Sequence, residues 1–330
     1  MSGGGVAARA GSLRARLGGQ PWLLAAALML LGLIVTAIFQ PDFFMPRNLG
    51  NTLRAYLPLM CIALAQTVIV IGGGIDLSLG AMLTLASVVM VRYFGDALPQ
   101  DIGLGATLVG LLLGVGVALL AGLINGLCVA YLRLQPIIAT FATNFLWSGL
   151  ALWVLPQPGG VVPQSLVDAV RLWFGLPFAA WIIVLLLLGW LAFMRTRAAV
   201  ALYASGGQPA AAFASGVTVP RVRLLAYAAG GLLTGLGALF LIGDISTGDP
   251  LIGGPLTLTS VVAVVIGGTR LSGGAGGAIG TLLGVVVLDL LRRLVFFMGL
   301  DPQWQTFVNG LIIVLALSAP LLLGLLRRRA

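Results

Sequence analysis

The chain has 330 residues, of which 60% are hydrophobic and 8% charged, and its mean hydropathy is +1.11. Soluble domains carry about 25% charged residues, so this composition predicts one polytopic membrane domain solvated mainly by lipid. The net charge of +9 comes from Arg and Asp alone, because the sequence contains no Lys, Glu or His. A Walker A loop needs Lys, a serine triad needs His, and zinc sites need His or several Cys. These ATPase, hydrolase and zinc-enzyme classes are therefore excluded.

An intramembrane aspartyl pair is the one catalytic device left open, and we expect no enzyme and no cofactor bound by this chain. The arginines are scattered along the flanks of apolar segments instead of forming a basic face. A nucleic-acid partner is therefore not expected.

The first apolar segment separates a tail from the membrane domain. Residues 1–20 are rich in Gly and Ala and contain three Arg, which indicates a flexible cytoplasmic tail; 21–330 form a single transmembrane domain. The apolar run Pro21–Phe39 has the length of a membrane span and exceeds the core of a cleaved signal peptide. Gln40–Arg54 is predicted to be an external linker.

Ten membrane-spanning helices are predicted, several of them short or interrupted, as is common in transport proteins. They are Pro21–Phe39, Ala55–Ile71, Leu79–Arg92, Gly103–Ile124, Pro136–Leu155, Phe178–Met194, Leu224–Ile242, Leu256–Gly267, Ala278–Val295 and Trp304–Leu325. Twelve Arg then lie on the side of both termini and six on the other, so both termini are predicted to be cytoplasmic. The longest external loop, Pro156–Trp173, is expected to include a short surface helix.

The stretch Val68–Ser87 contains the chain's most unusual residues for a membrane segment. Three consecutive glycines, Gly72–Gly74, should open the helix, and Asp76 follows them. Opened backbone at membrane depth survives only where protein or a water-filled cavity satisfies it, and an acid there is a candidate functional residue. Asp76 alternatively caps the next helix. The two roles are compatible.

A second glycine-rich stretch, Val265–Gly277, resembles the first. Aligning Gly74–Gly80 with Gly268–Gly274 places Asp76 opposite Arg270, which suggests an internal duplication or a chance similarity, and, more weakly, an ion pair. The glycines expected to shape these turns are Gly73, Gly74, Gly80, Gly267, Gly268, Gly273 and Gly274.

Residues 198–223 are predicted to form a cytoplasmic loop with one short helix, about Pro209–Ser215. Proline suits a first helical turn and Gly216 a helix stop. This helix is too short to fold alone and too polar to span, so it should rest against another element. A plain structural connector is the alternative.

Four motifs together identify a family. They are Gly73–Ser78 with Gly80, Asn125–Gly126 followed by Gln135–Thr140, Gly206–Ala211 with Ser215–Val217, and Val264–Thr269 with Leu271–Gly274. With these residues the chain, from about Leu57 to Leu317, resembles the membrane-spanning permeases of bacterial ABC importers for ribose, galactofuranose, autoinducer-2 and related solutes.

The resemblance implies a type II ABC importer permease fold of about ten helices in the bacterial inner membrane. It also implies three partners: a second permease subunit (the same chain or a different one), a cytoplasmic ATPase that uses the ATP, and a periplasmic solute-binding protein. The short loop helix would dock on the ATPase. The residues expected to couple the two are Gly206, Gly207, Gln208, Pro209, Ala210, Ala211, Ser215 and Gly216.

Two departures from the family pattern concern charge. Family members usually have an acidic residue at the position of Gln208 and another before the eighth span, where Leu256–Thr259 stands. Coupling contacts here would therefore rest on backbone groups, hydroxyls and arginines.

The expected mechanism is alternating access along a polar path. Sugars offer hydroxyls, so the candidate path residues are the acid and neutral polar side chains Asp76, Ser78, Thr84, Asn125, Thr140, Thr143 and Asn144. For each of them a helix–helix hydrogen bond is the alternative. Rival functions are a branched-chain amino acid permease and an ion-coupled secondary transporter. The secondary transporter would need a site for its coupling ion, and Asp76 and Asp289 are the only acidic residues that lie in apolar segments.

Overall fold

A computed structural model of the chain describes residues 22–297 together with Trp304, Phe307, Gly310, Leu311, Val314 and Ser318. The described part consists of helices joined by turns and loops, with two short 3-10 turns (Pro41–Phe44 and Pro99–Asp101) and one hairpin of two-residue strands. Its helices are α1 Leu23–Phe39, α2 Pro46–Ile71, α3 Leu79–Phe94, α4 Leu104–Ala130, α5 Pro136–Val154, α6 Gln164–Arg171, α7 Phe178–Met194, α8 Arg197–Gly207, α9 Pro209–Ala214, α10 Val219–Ile245, α11 Gly254–Ile266 and α12 Ala278–Phe297.

Four of the described helices are long and apolar enough to cross a membrane: α2, α4, α5 and α10. A fifth span results if α7 and α8, which meet at an angle of 80°, are counted together, and α1, α3 and α11 are shorter apolar helices. Ten spans and cytoplasmic termini remain predictions. The expected tail, 1–20, lies outside the described residues, as does most of the tenth expected span, Trp304–Leu325.

The centre of the fold is α2, most of which is buried by other helices. Glycines on α10 allow it to approach α2 and α4 closely: a Cβ on Gly230 would contact the Ile69 side chain, and one on Gly231 would lie 2.4 Å from the Ala118 carbonyl oxygen. Small residues on facing helices stabilise membrane bundles because the backbones can then pack closely. The three helices form the frame on which the site residues are placed.

The periphery is α5 and α7, whose large apolar side chains are mostly exposed. A β-hairpin precedes α7 and consists of β1 (Trp173–Phe174) and β2 (Leu176–Pro177), with Phe174 opposite Leu176. The surface helix expected within Pro156–Trp173 is confirmed as α6.

Several predicted boundaries are wrong by more than a turn. The helix predicted to begin at Ala55 begins at Pro46, because proline at the first helical position starts a helix well. The fourth predicted span continues to Ala130, through the glycine of Asn125–Gly126. The seventh likewise begins at Val219, directly before a proline.

The predicted cytoplasmic loop 198–223 contains a helix that the sequence analysis missed. Residues Arg197–Gly207 form α8, whose N-cap Thr196 accepts a hydrogen bond from the Ala199 N–H (3.3 Å). The segment is rich in alanine, the best helix former. The sequence analysis assigned this loop a single short helix, Pro209–Ser215, and α8 precedes that helix.

Candidate functional site at two helix breaks

The first break ends α2 with a backbone turn built on glycine. Gly73 has a φ of +84°, its N–H donates to the Val70 carbonyl (2.9 Å), and the Gly74 N–H donates to the Ile69 carbonyl (3.0 Å). This pair of bonds is a Schellman motif, which satisfies the last carbonyls of a helix and favours glycine at the left-handed position. The glycine run therefore breaks the helix as predicted.

The second break, after α11, uses the same motif. Gly268 has a φ of +83°, and two equivalent hydrogen bonds of 2.9 and 3.1 Å close the turn. Gly268 is thus the counterpart of Gly73. The sequence alignment, which paired Gly268 with Gly74, is off by one residue, and Asp76 and Arg270 are not equivalent positions.

The hypothesis of an Asp76–Arg270 ion pair is also wrong. Asp76 is fully buried while Arg270 is exposed, and no ion pair joins them among the residues that the structure describes. The Asp76 carboxylate is instead bound by neutral donors.

Those donors form a buried polar cluster between α3 and α4. Asp76 Oδ1 accepts hydrogen bonds from the Ser78 N–H and hydroxyl (both 2.7 Å), and Oδ2 accepts one from Asn125 Nδ2 (3.0 Å). The same Nδ2 donates to Ser78 Oγ (2.7 Å), and all three residues are fully buried. Asp76 thus fixes the backbone at Ser78, the N-cap of α3, but it accepts no hydrogen bond from the N–H groups of the first turn of α3, so the geometry differs from the capping role considered above.

Two further helices hold the short segment that carries Asp76. Thr140 on α5 accepts a hydrogen bond from the Leu77 N–H (3.0 Å), and its hydroxyl lies 3.3 Å from the Ile75 carbonyl oxygen. The Tyr227 hydroxyl of α10 donates to the same Ile75 carbonyl (3.3 Å). Side chains from α4, α5 and α10 therefore converge on residues 75–78.

The first turns of α3 and α11 bind each other reciprocally. The Gly80 N–H donates to Thr257 Oγ1 (2.9 Å), and the Gly253 N–H donates to Thr84 Oγ1 (3.0 Å). A Cβ on either glycine would lie 2.0 Å from the carbonyl oxygen of the other. Because free N–H groups at a helix start are costly inside a membrane, each short helix satisfies one such group of its partner.

The two breaks also meet at the end of α8. A Cβ on Gly206 would lie 1.8 Å from the Ile71 carbonyl oxygen, and one on Gly273 would lie 2.7 Å from the Gly206 carbonyl oxygen. The Gly274 N–H donates to the Ile71 carbonyl (3.0 Å). Gly73 packs on the Cα of Gly206 as well. We call this contact of residues 71–74, 206–207 and 273–274 the glycine junction.

One side chain reinforces the glycine junction. The Tyr203 hydroxyl on α8 donates to the Gly276 carbonyl (2.7 Å) and thereby ties α8 to the second break. The glycine junction thus brings three sequence motifs into direct backbone contact, those around Gly73, Gly206 and Gly273.

The predicted short helix is confirmed as α9, and it projects from the glycine junction. It begins after Gln208 and ends in another Schellman motif, in which Gly216 has a φ of +85°. Ala212 is buried, while Phe213 is 72% exposed. Sequence reasoning did not single out Phe213, although an aromatic residue in a short alanine-rich loop helix is a signal that could have identified it.

The candidate coupling residues occupy two places. Gly206 and Gly207 both lie within the glycine junction, and a Cβ on Gly207 would lie 3.6 Å from Gly274. The others are on the exposed surface of α9 or at its ends, namely Gln208, Pro209, Ala210, Ala211, Ser215 and Gly216.

The candidate path residues divide into a buried and a partly exposed group. Five of them are buried inside a single protomer: Asp76, Ser78, Thr84, Asn125 and Thr140. Thr143 and Asn144 on α5 are partly exposed, and the Thr143 hydroxyl donates to the Thr140 carbonyl of its own helix (3.2 Å). The buried group makes the helix–helix hydrogen bonds named as the alternative, and a role along a path stays a prediction.

Asp289, the other intramembrane acid, lies in a separate network. It accepts hydrogen bonds from the Tyr56 hydroxyl (2.8 Å) and from Arg293 Nε, with which it forms an ion pair. Arg293 also donates to Thr52 (3.1 Å). This network joins α12 to α2 and leaves the Asp289 carboxylate already paired with a cation.

Comparison with known protein families gives one match that covers most of the chain. Residues 48–317 match the family described as "Branched-chain amino acid transport system / permease component". This range includes both helix breaks, α8 and α9.

Individual relatives are named as sugar permeases. The chain is 30% identical over 302 residues to the ribose import permease protein of Escherichia coli (strain K12), which covers 89% of this chain and 91% of the relative. It is 32% identical over 288 residues to the ribose import permease protein of Bacillus subtilis (86% and 87% covered). It is 32% identical over 275 residues to the fructose import permease protein of Rhizobium meliloti (78% and 73% covered).

Proposed function

The chain belongs to the family of permease components of branched-chain amino acid transport systems, and from this membership we propose that it is the membrane subunit of an ATP-binding-cassette importer for a monosaccharide or sugar-like solute. It is a multi-pass protein of the bacterial inner membrane. The relatives with which it shares about 30% identity over nearly its whole length are import permeases named for ribose and fructose. These names support a sugar in preference to the amino acid of the family's description.

The observation that carries the coupling part of this proposal is the position of α9. This helix exposes Phe213 and is joined through Gly206 and Gly207 to both helix breaks. A cytoplasmic ATPase that binds α9 would therefore act on α2, α3, α11 and α12 through one contact. Because backbone packs directly on backbone in the glycine junction, a movement of α9 would be passed to the helix breaks with little loss.

The remaining partners follow from the same proposal. The translocation path would form between this chain and a second permease subunit, and a periplasmic solute-binding protein would deliver the solute to the opposite end of the helices. Alternating access would tilt the helices around the two breaks. Neutral hydroxyl and amide groups, including those of Thr143 and Asn144, suit a solute that presents hydroxyls.

An ion-coupled secondary transporter is less well supported. It would need an intramembrane acid that is free to bind the coupling ion. Asp289, however, forms an ion pair with Arg293, and the Asp76 carboxylate already accepts hydrogen bonds from Ser78 and Asn125. A secondary transporter also has no ATPase subunit that would bind the exposed surface of α9.

The proposal is tested by solubilising the protein with its partners from the native membrane and identifying co-purified proteins by mass spectrometry. The wild type is compared with Phe213→Arg, which places a charge on the exposed face of α9, and with Phe213→Leu, which keeps that face apolar. We expect an ATPase with the wild type and with Phe213→Leu, and at least a tenfold loss with Phe213→Arg. The co-purified permease identifies the second subunit.

Two results contradict the proposal. One is transport of a solute into liposomes by the purified chain on an ion gradient alone. The other is ATP hydrolysis by the reconstituted complex that a branched-chain amino acid stimulates and monosaccharides do not, which would assign the amino acid substrate instead.

A further inference from the structure

A cationic cavity lies at the end of α2 farthest from α9. Its volume is about 440 Å³, and it lies between the start of α2, the end of α6 and the hairpin before α7. The cavity is lined by α2 residues 46–54 and the glycine junction begins at Ile71, so a rise of 1.5 Å per residue places the two about 26–38 Å apart along the helix. It therefore faces the other membrane surface.

The cavity carries unneutralised positive charge. Three arginines line it, Arg47, Arg54 and Arg171, and no Asp or Glu does. Arg54 forms an ion pair with Asp244, whereas Arg47 and Arg171 have no ion pair among the residues that the structure describes. The start of α2 adds to this potential, because its N-cap residue, Met45, offers no side-chain acceptor to the first N–H groups.

One wall of the cavity is aromatic and apolar. The Trp173 ring packs over Gly50, at 3.4 Å from a Cβ built there, and Pro177 and Phe178 complete the wall. Phe174, at the tip of the hairpin, is 60% exposed, and its carbonyl accepts a hydrogen bond from Trp181 Nε1 (3.3 Å). Tryptophan is enriched where a protein crosses the membrane–water interface.

The apolar wall continues onto a face of α7 that no described helix covers. Trp181, Leu185 and Leu188 are exposed and follow one another at spacings of four and three residues, which places them on one side of the helix. In a membrane this side faces lipid. The cavity thus adjoins this apolar side near the start of α2, which places its arginines next to a surface suited to lipid.

We propose that this cavity binds the phosphate-bearing headgroup of an anionic phospholipid in that leaflet. The guanidinium groups of Arg47 and Arg171 match the geometry of phosphate oxygens and donate charge-assisted hydrogen bonds. Trp173 and Phe174 cover the upper part of the acyl chains. An acidic side chain of a docked solute-binding protein would meet the same charges. It would not, however, need an apolar wall that continues onto the lipid-facing side of α7. The proposal requires only that the chain is embedded in a membrane and is independent of the transported solute.

The test is retention of phosphatidylglycerol by the purified protein, measured by native mass spectrometry in neutral detergent. The double variant Arg47→Gln/Arg171→Gln is compared with Arg92→Gln, which removes an exposed arginine outside the cavity. We expect retention to fall at least tenfold in the double variant and to be unchanged in Arg92→Gln. The variant Arg47→Lys/Arg171→Lys keeps the charge and should retain an intermediate amount, which shows that the cavity is folded.

Three outcomes overturn the proposal. The first is equal retention of phosphatidylglycerol by the wild type and the Gln double variant. The second is full displacement of the lipid by millimolar inorganic phosphate, which would indicate a site for the free anion. The third is unchanged lipid retention with loss of the solute-binding protein from the native complex, which would assign the arginines to protein docking.

Discussion

The two helix breaks begin with the same backbone turn and are then stabilised in opposite ways. After Gly73 the chain enters α3 within a few residues, and side chains from three helices hold the connecting segment around Asp76. After Gly268 the connection is longer, from Gly267 to Gly277. It is held mainly by backbone groups of other segments, the Ile71 carbonyl and Gly206–Gly207, and by one side chain, that of Tyr203.

The two kinds of support make the breaks sensitive to different substitutions. A segment held by side-chain hydrogen bonds is sensitive to the loss of a polar atom, because the buried partner is left unsatisfied. A segment held by backbone close approach is sensitive to added volume, because a packed backbone has no room to move aside.

The largest effect is expected from added volume in the glycine junction. In Gly206→Ala the new methyl group would lie 1.8 Å from the Ile71 carbonyl oxygen, so we expect a loss of about 3 kcal/mol or more in the free energy of unfolding. Gly207→Ala is the matched control, since its methyl group would lie 3.6 Å from Gly274. The melting temperature in detergent measures both. Equal melting temperatures for the two variants would show that backbone contact does not hold the glycine junction.

The next largest effect is expected from loss of the carboxylate at the first break. Asp76→Ala leaves the Ser78 N–H and hydroxyl without their acceptor and removes one of the two oxygen acceptors of the Asn125 amide, and each unsatisfied buried group costs about 1–3 kcal/mol. Asp76→Asn keeps one acceptor oxygen, so about half of that loss is expected. Thermal unfolding in detergent measures the difference. A melting temperature for Asp76→Asn as low as that of Asp76→Ala would contradict this expectation and mean that the single acceptor oxygen of Asn does not replace the carboxylate.

The existence of both breaks and of α9 could be predicted from the sequence, because glycine and proline act locally. Which of Gly72–Gly74 takes the left-handed conformation could not, and the alignment with Gly268 was off by one for that reason. Local propensity cannot tell which of several adjacent glycines is placed after the last helical turn.

The contact between the two breaks could not be predicted from the sequence either. The glycine junction joins Ile71, Gly206 and Gly274, whose separation along the chain gives no information about distance. In the same way, Asn125 and Thr140 were chosen as polar residues facing a path, and the structure places them against the segment that carries Asp76. A polar side chain in a membrane helix needs a partner, but sequence alone does not name the partner.

The smallest effects on stability are expected from removing one tyrosine hydroxyl at each break. Tyr203→Phe removes the 2.7 Å hydrogen bond to Gly276 at the second break, and Tyr227→Phe removes the 3.3 Å hydrogen bond to Ile75 at the first. A single neutral hydrogen bond contributes about 0.5–1.5 kcal/mol, so both changes in melting temperature should be small. The Thr140 hydroxyl lies 3.3 Å from the Ile75 carbonyl and 2.8 Å from the Pro136 carbonyl, so it can replace Tyr227 as the donor to Ile75 by turning its one proton away from Pro136.

The functional readouts of the two tyrosine variants should therefore differ more than their stabilities. Tyr203 is the side-chain link between α8 and the second break, so its loss should weaken the link between ATP hydrolysis and solute transport in the reconstituted importer. Tyr227→Phe leaves the first break held by Asn125 and Thr140 and should keep the wild-type ratio of solute transported to ATP hydrolysed. If Tyr227→Phe lowers that ratio and Tyr203→Phe does not, the first break, and not the second, responds to α9.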